Sequence, residues 1–189
     1  MAKKSFKDLF KTATYLLQRK AGIISHLTLK IRIVDIARRN LNSGDLKDFS
    51  SILSRKVNPF VFDLLKKASQ AGFEILVATA AADYYMQAFK DNFRDFKFDV
   101  IDTKINFAGE NVMENKGETK LRELNNYLDR NKLQLVAFLS DHENDLSLFN
   151  YYSCKRYLVN PSPKTLKIFL SKFKKVEKIT TTNNNYLIS

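Results

Sequence analysis

Tryptophan is absent from the chain, cysteine occurs once, and proline and glycine number only three and five among 189 residues. A lone Cys154 cannot form an internal disulfide, which argues against a stapled secreted domain and points to a reducing, cytoplasmic setting. So little proline and glycine excludes a collagen-like or low-complexity chain. With fifteen Phe and eight Tyr, it suits a helix-rich fold with short connections. No uncharged apolar run reaches the ~18 residues that a spanning helix needs, so none is expected. Lys3 and Lys4 resemble the start of a signal peptide, but Lys7, Asp8 and Lys11 interrupt the apolar stretch that follows, and no small-residue cleavage site appears.

What is present is enough apolar material, 44% of 21.9 kDa, for one globular core with one modest insertion. Thirty-two Lys and Arg against twenty Asp and Glu leave a net charge of +12, which favours anionic partners such as phosphorylated metabolites, nucleic acid or an acidic membrane surface. The excess is concentrated toward the ends, with six basic groups and one acid in residues 1–20 and six Lys and one Glu in residues 164–178. Neither segment carries the base-stacking aromatics or the fold signature of a nucleic-acid module, so solvated helix faces are the simpler reading and a nucleic-acid partner is not expected.

Phe6, Leu9, Phe10, Ala13, Leu16 and Leu17 recur at helical spacing, which predicts an amphipathic helix over residues 5–19, ended by Gly22. "SHLTLKIRIVDIARRN" alternates like a strand at Leu27, Leu29, Ile31 and Ile33, yet Ser25 can cap a helix running to Asn40, and helix is preferred. "NSGD" breaks it, and a polar segment leads to Pro59, the start of a helix with Val61, Leu64, Leu65 and Ala68 on one face and Gly72 at its end. The pattern then changes. "FEILVAT" (73–79) reads as a buried strand followed by helix through Phe89, and "FDVIDTKINFAGENVM" as a strand and a hairpin turning at Gly109. "GETKLRELNNYLDR" (117–130) reads as helix, "LQLVAFL" (133–139) and "RYLVN" (156–160) as strands, and residues 181–189 as a loose polar tail. Such alternation predicts a doubly wound, Rossmann-like α/β core with its ligand site at the carboxyl ends of the strands.

Three polar signals fall where that architecture keeps its chemistry. Thr79 ends the first run, Lys120 lies in the helix before a later strand, and Asp141 and Asp145 follow that strand. A hydroxyl can bond a phosphoryl oxygen, an ammonium can neutralise its charge, and paired carboxylates can hold a hard cation such as Mg²⁺. Asp141 and Asp145 would face the same way if the chain turned helically between them. "ILVATAAADYY", "GETKLREL", "FLSDHENDLSLF" and "RYLVNPSPKTLK", in that order, resemble the later motifs of the haloacid dehalogenase superfamily, in particular its phosphoserine-phosphatase-like branch. That resemblance covers nearly the whole chain. It implies phosphate binding by Thr79 and Lys120, Mg²⁺ on Asp141 and Asp145, a helical cap over residues 1–56, an α/β core over 57–180, and the polar tail over 181–189. Ser140 stands where the family has Gly, and His142 where it has Ser.

The family's first motif, an apolar strand ending in Asp-x-Asp-x-Thr whose first Asp is the nucleophile, occurs nowhere in the chain. Asp8 in "SFKDLF" and Asp35 in "RIVDIARR" lack the second Asp and the Thr. In relatives a stretch like "SFKDLFK" follows shortly after that motif, so the chain resembles one cut just behind its nucleophile. The resemblance places the missing strand at the centre of the sheet, between the strands of residues 73–79 and 133–139. Two edges would then want partners. The segment 27–36, the strand near 176–180, a second copy or another strand-donating chain, or an upstream peptide could fill the gap. The implied function is a Mg²⁺-dependent phosphomonoesterase acting on a small phosphorylated substrate through an aspartyl-phosphate, inactive as the 189 residues stand. The alternative is a non-catalytic binding or regulatory remnant with a basic surface. His26 reads as a surface group, and His142 as a neighbour able to make metal affinity pH-sensitive through Asp141.

Overall fold

A computed structural model describes residues 6–105, 112–173, 176–182 and 185–188. Contacts divide the chain into two units, one drawn from Met1–Asn58 and Ala68–Glu114, the other from Pro59–Lys67 and Asn115–Ser189. Both mix helices with parallel strands.

In the first unit, α1 (Phe6–Lys20) and α2 (His26–Asn40) follow the sequence pattern closely. Ser25 caps α2, its hydroxyl accepting the Thr28 N–H at 3.0 Å, so the segment with strand-like alternation is helix and is not available to fill a sheet. The expected polar connection after Asn40 is instead a third helix, α3 (Ser43–Ser54). Its start is a capping box. The Asn42 side chain accepts from Gly44 N and Asp45 N at 2.8 and 3.0 Å, and the Asp45 carboxylate accepts from Asn42 N at 3.0 Å. On α5 (Asp83–Lys90) Tyr85 meets Phe49 of α3 edge to face, with centroids 5.5 Å apart. The Asn92 amide beyond α5 donates to the buried Ser50 hydroxyl at 3.0 Å. Val34, Ala82 and Ile105 form one buried cluster of this unit.

The strands of the first unit are β1 (Leu76–Ala82) and β2 (Asp99–Thr103), paired in parallel. Regular pairing runs from Leu76 opposite Asp99 to Ala78 opposite Ile101, and resumes only at Ala82 opposite Thr103. Thr79, Ala80 and Ala81 therefore lie in a bulge. β1 runs past Thr79, although the ladder proper stops one residue before it.

In the second unit, β3 (Ala137–Ser140), β4 (Lys155–Val159) and β5 (Glu177–Thr182) are parallel, and β6 (Asn185–Ile188) runs antiparallel to β5. The stretch expected to be a loose tail thus adds an edge strand. β3 is shorter than expected, since residues 133–136 precede it outside the ladder. Around this sheet stand α6 (Gly117–Asn131), α7 (Leu146–Tyr151) and α8 (Pro163–Lys172). α4 (Pro59–Gln70) starts at Pro59 as expected and is divided between the units, and Gly72 beyond it takes φ +90°, a conformation glycine adopts without strain. The expected hairpin at Gly109 lies outside the described residues. No helix among them is long and apolar enough to cross a membrane.

Among the described strands β1 pairs only with β2, and β3 only with β4. β5 is paired on both sides, so neither it nor α2 completes either edge.

Phe149, Leu158 and Phe169 are fully buried at the centre of the second unit, and the Phe149 ring meets those of Phe138 and Phe169 at 4.9 and 4.5 Å. Truncating a core aromatic removes that burial and leaves a cavity. Phe149→Ala is expected to lower stability by about 3 to 5 kcal/mol, read from the urea midpoint at unchanged m-value.

Candidate active site

β3 delivers the chain to its carboxyl end at Ser140, and a 3₁₀ turn, Glu143–Asp145, redirects it into α7. The three acids around that turn take three different courses. Asp145 is buried, with Oδ1 accepting from the Lys120 ammonium at 2.6 Å and Oδ2 from the Ser140 hydroxyl at 2.8 Å. Glu143 turns to α8, where the Thr165 hydroxyl donates to Oε2 at 2.5 Å and the Lys164 ammonium to Oε1 at 2.6 Å. Asp141 is exposed and makes no ion pair with a described residue.

Lys120 sits in the first turn of α6 and is itself buried. An ionised carboxylate and an ammonium leave water at great cost unless each finds the other, so the two fix one another's position. Ser140, which departs from the family pattern, has a definite task. Its oxygen receives the His142 N–H at 3.2 Å while its hydroxyl holds Asp145. His142 does not bond Asp141. Its Nδ1 accepts the Asn144 N–H at 3.1 Å and lies 3.7 Å from Glu143 Oε2.

The Lys164 and Thr165 hydrogen bonds hold the Glu143 carboxyl at about 2, well below its ordinary value of 4.5. Cys154 is a poor candidate nucleophile, because burial raises its thiol pKa and leaves little thiolate near neutrality.

Thr79 belongs to the first unit, and Lys120, Asp141 and Asp145 to the second. The Thr79 oxygen accepts the Ala81 N–H at 3.1 Å, closing a tight turn within the bulge of β1. The next carbonyl, of Ala80, receives the Thr103 hydroxyl at 2.8 Å and the Lys30 ammonium of α2 at 2.6 Å. Lys30 is also paired with the buried Glu114, whose Oε1 lies 3.2 Å from His26 Nδ1. His26 is 58% exposed, so the surface reading holds for its ring but overlooks this carboxylate 88 residues away. Nothing in local sequence marks Lys30, Glu114 or Thr165. Only Glu143 carried a signal, as an acid inside the motif, and its partners were not readable.

No group of three or more His, Cys, Asp or Glu among the described residues could hold a metal. Asp141 and Asp145 offer two carboxylates. Both Asp145 oxygens are engaged, by Lys120 and by Ser140, while Asp141 is exposed beside them.

A family model for haloacid dehalogenase-like hydrolases matches residues 12–150. A comparison with curated proteins finds no match. Among solved structures, a Bordetella pertussis Tohama I protein described as of unknown function superposes with a TM-score of 0.68 at 17% identity, over 93% of this chain and 84% of that one. At that identity the likeness concerns the fold.

Two outcomes are expected. Lys120→Met leaves the Asp145 carboxylate buried without its cation and should cost about 3 to 5 kcal/mol in urea unfolding, whereas Lys120→Met/Asp145→Asn should cost less than the two single changes together. Glu143 should titrate near 2 by NMR. Because its folded pKa is depressed, its contribution to stability is present above its unfolded pKa and fades as pH falls toward 2; Thr165→Val should move the titration upward.

Proposed function

We propose, for a chain that belongs to the haloacid dehalogenase-like hydrolases, the chemistry of a Mg²⁺-dependent phosphomonoesterase of the phosphoserine-phosphatase-like kind. The reading is carried by the Lys120–Asp145–Ser140 cluster at the carboxyl end of β3, with Asp141 beside it. Lys120 spends one N–H on Asp145 and keeps two others to meet a phosphoryl oxygen. Thr79, by the resemblance of its motif, is a candidate hydroxyl donor to phosphate. Asp141 and Asp145 would hold Mg²⁺, which supplies charge neutralisation at phosphorus when bound. Residues 1–56 would act as the cap that selects a small phosphorylated substrate in the cytoplasm.

The attacking carboxylate of such a cycle forms an aspartyl-phosphate that water then cleaves. No Asp-x-Asp-x-Thr string occurs among the 189 residues to provide it. Among the described strands β1 pairs only with β2 and β3 only with β4, so each has an edge that could accept a further strand, from this or another chain.

The 189-residue chain should give no turnover of p-nitrophenyl phosphate with Mg²⁺. Extending it by whatever in-frame coding sequence lies upstream, where that contains Asp-x-Asp-x-Thr, should restore turnover that Thr79→Val lowers and Asp141→Ala abolishes. Robust turnover by the 189 residues alone, lost in Asp141→Ala, would show that a different group attacks. A stop codon directly upstream, with no turnover, would favour the non-catalytic remnant.

A further inference from the structure

The apolar stripe of α1 faces the wrong way for a core. Leu9, Phe10 and Leu17 are 66%, 68% and 67% exposed, Leu16 lies exposed beside them, and Ile23 just beyond the helix is 71% exposed. All four helix residues share one face with Ala13, the face that an amphipathic helix ordinarily buries. The opposite, polar face is the one docked on α2. There the Arg32 guanidinium lies 4.8 Å from the Tyr15 ring centroid and donates to the Gln18 side-chain oxygen at 3.0 Å. The orientation is therefore fixed by specific contacts.

Arg19 and Lys20 stand exposed at the C-terminal end of the stripe and make no ion pair with a described residue, and Asp8 is the only acid in the helix. A contiguous apolar patch of this kind marks an interaction surface. These two cations and the net charge of +12 decide among occupants: two copies paired through this face carry like net charge, whereas an anionic surface is attracted while the stripe leaves water. We propose that α1 is an interfacial anchor, lying flat on an anionic lipid bilayer with Leu9, Phe10, Leu16 and Leu17 seated at the boundary between headgroups and acyl chains. The net charge of +12 accords with binding on an anionic membrane surface. This stands independently of the phosphatase chemistry.

The test uses the whole chain and vesicles of phosphatidylcholine, with or without phosphatidylglycerol. The protein should sediment with phosphatidylglycerol-containing vesicles at low salt, bind phosphatidylcholine alone far less, and be released as salt rises. Phe10→Ser/Leu17→Ser should weaken binding by about tenfold or more while leaving the thermal melt unchanged, since both side chains are already exposed. Arg19→Gln/Lys20→Gln should remove the preference for anionic lipid. The chain has no Trp, so Leu16→Trp provides a single reporter whose emission should shift to the blue when those vesicles are added. Failure to bind phosphatidylglycerol vesicles, or a Trp emission they do not move, would overturn the proposal. So would a dimer in sedimentation velocity that Phe10→Ser/Leu17→Ser dissolves, which would give the face to a second copy.

Discussion

A carboxylate cannot stay ionised in a protein interior without donors, and Asp145 has two, the Lys120 ammonium on one oxygen and the Ser140 hydroxyl on the other. These bonds tie the first turn of α6, the end of β3 and the start of α7 into one arrangement. β3 spans four residues and α7 six, too few for their own hydrogen bonds to hold them in place. The pair need not add net stability, because desolvating both charges offsets much of their attraction. What it fixes is position. Stability comes from beneath, where Phe149, Leu158 and Phe169 exclude water, while the clamp leaves Asp141 at the exposed end of the same loop.

The end of β1 is organised on a related principle with different groups. There the strand bulges, Thr79 closes a turn on Ala81, and the Ala80 carbonyl takes donors from Thr103 and Lys30. A bulge releases backbone groups from the ladder, and side chains from neighbouring elements take them up. In both units polar side chains are concentrated just where regular pairing stops, which is where a parallel α/β architecture presents ligand-binding groups. β1 and β3 also share the feature of a single described strand partner.

Helix existence was legible wherever apolar spacing and end signals agreed, as in α2 with Ser25 and in α4 between Pro59 and Gly72. α3 is weakly marked in the sequence because Leu46, Phe49, Ile52 and Leu53 are scattered among serines and aspartates, although Asn42 and Asp45 encode its start. The pairing of β6 with β5 was hidden by the Asn-rich composition around it, despite the β-branched Thr180–Thr182 run. Lys120 and Asp145 stand out in the sequence because their motifs fall in a fixed order, and the structure bonds them to one another. The partners of Glu143 do not stand out, since Thr165 reaches it only through the path of an intervening helix and strand. Periodicity could not reveal the bulge that places Thr79 beyond the regular ladder, because a bulge is defined by the partner strand.

α1 separates two things that an amphipathic pattern confounds. Spacing of Leu9, Phe10, Ala13, Leu16 and Leu17 states that the helix has an apolar side; it does not state which way that side points. Direction is set by what the other face can bond, and here Tyr15 and Gln18 engage Arg32 of α2. Leaving large apolar side chains in water forgoes burial worth about 1.5 to 3 kcal/mol each, so this arrangement is costly for an isolated chain. Local pattern and global packing usually agree, and where they part the reason lies in function more often than in folding. A helix that keeps its polar face for its own protein has kept the other for something outside it.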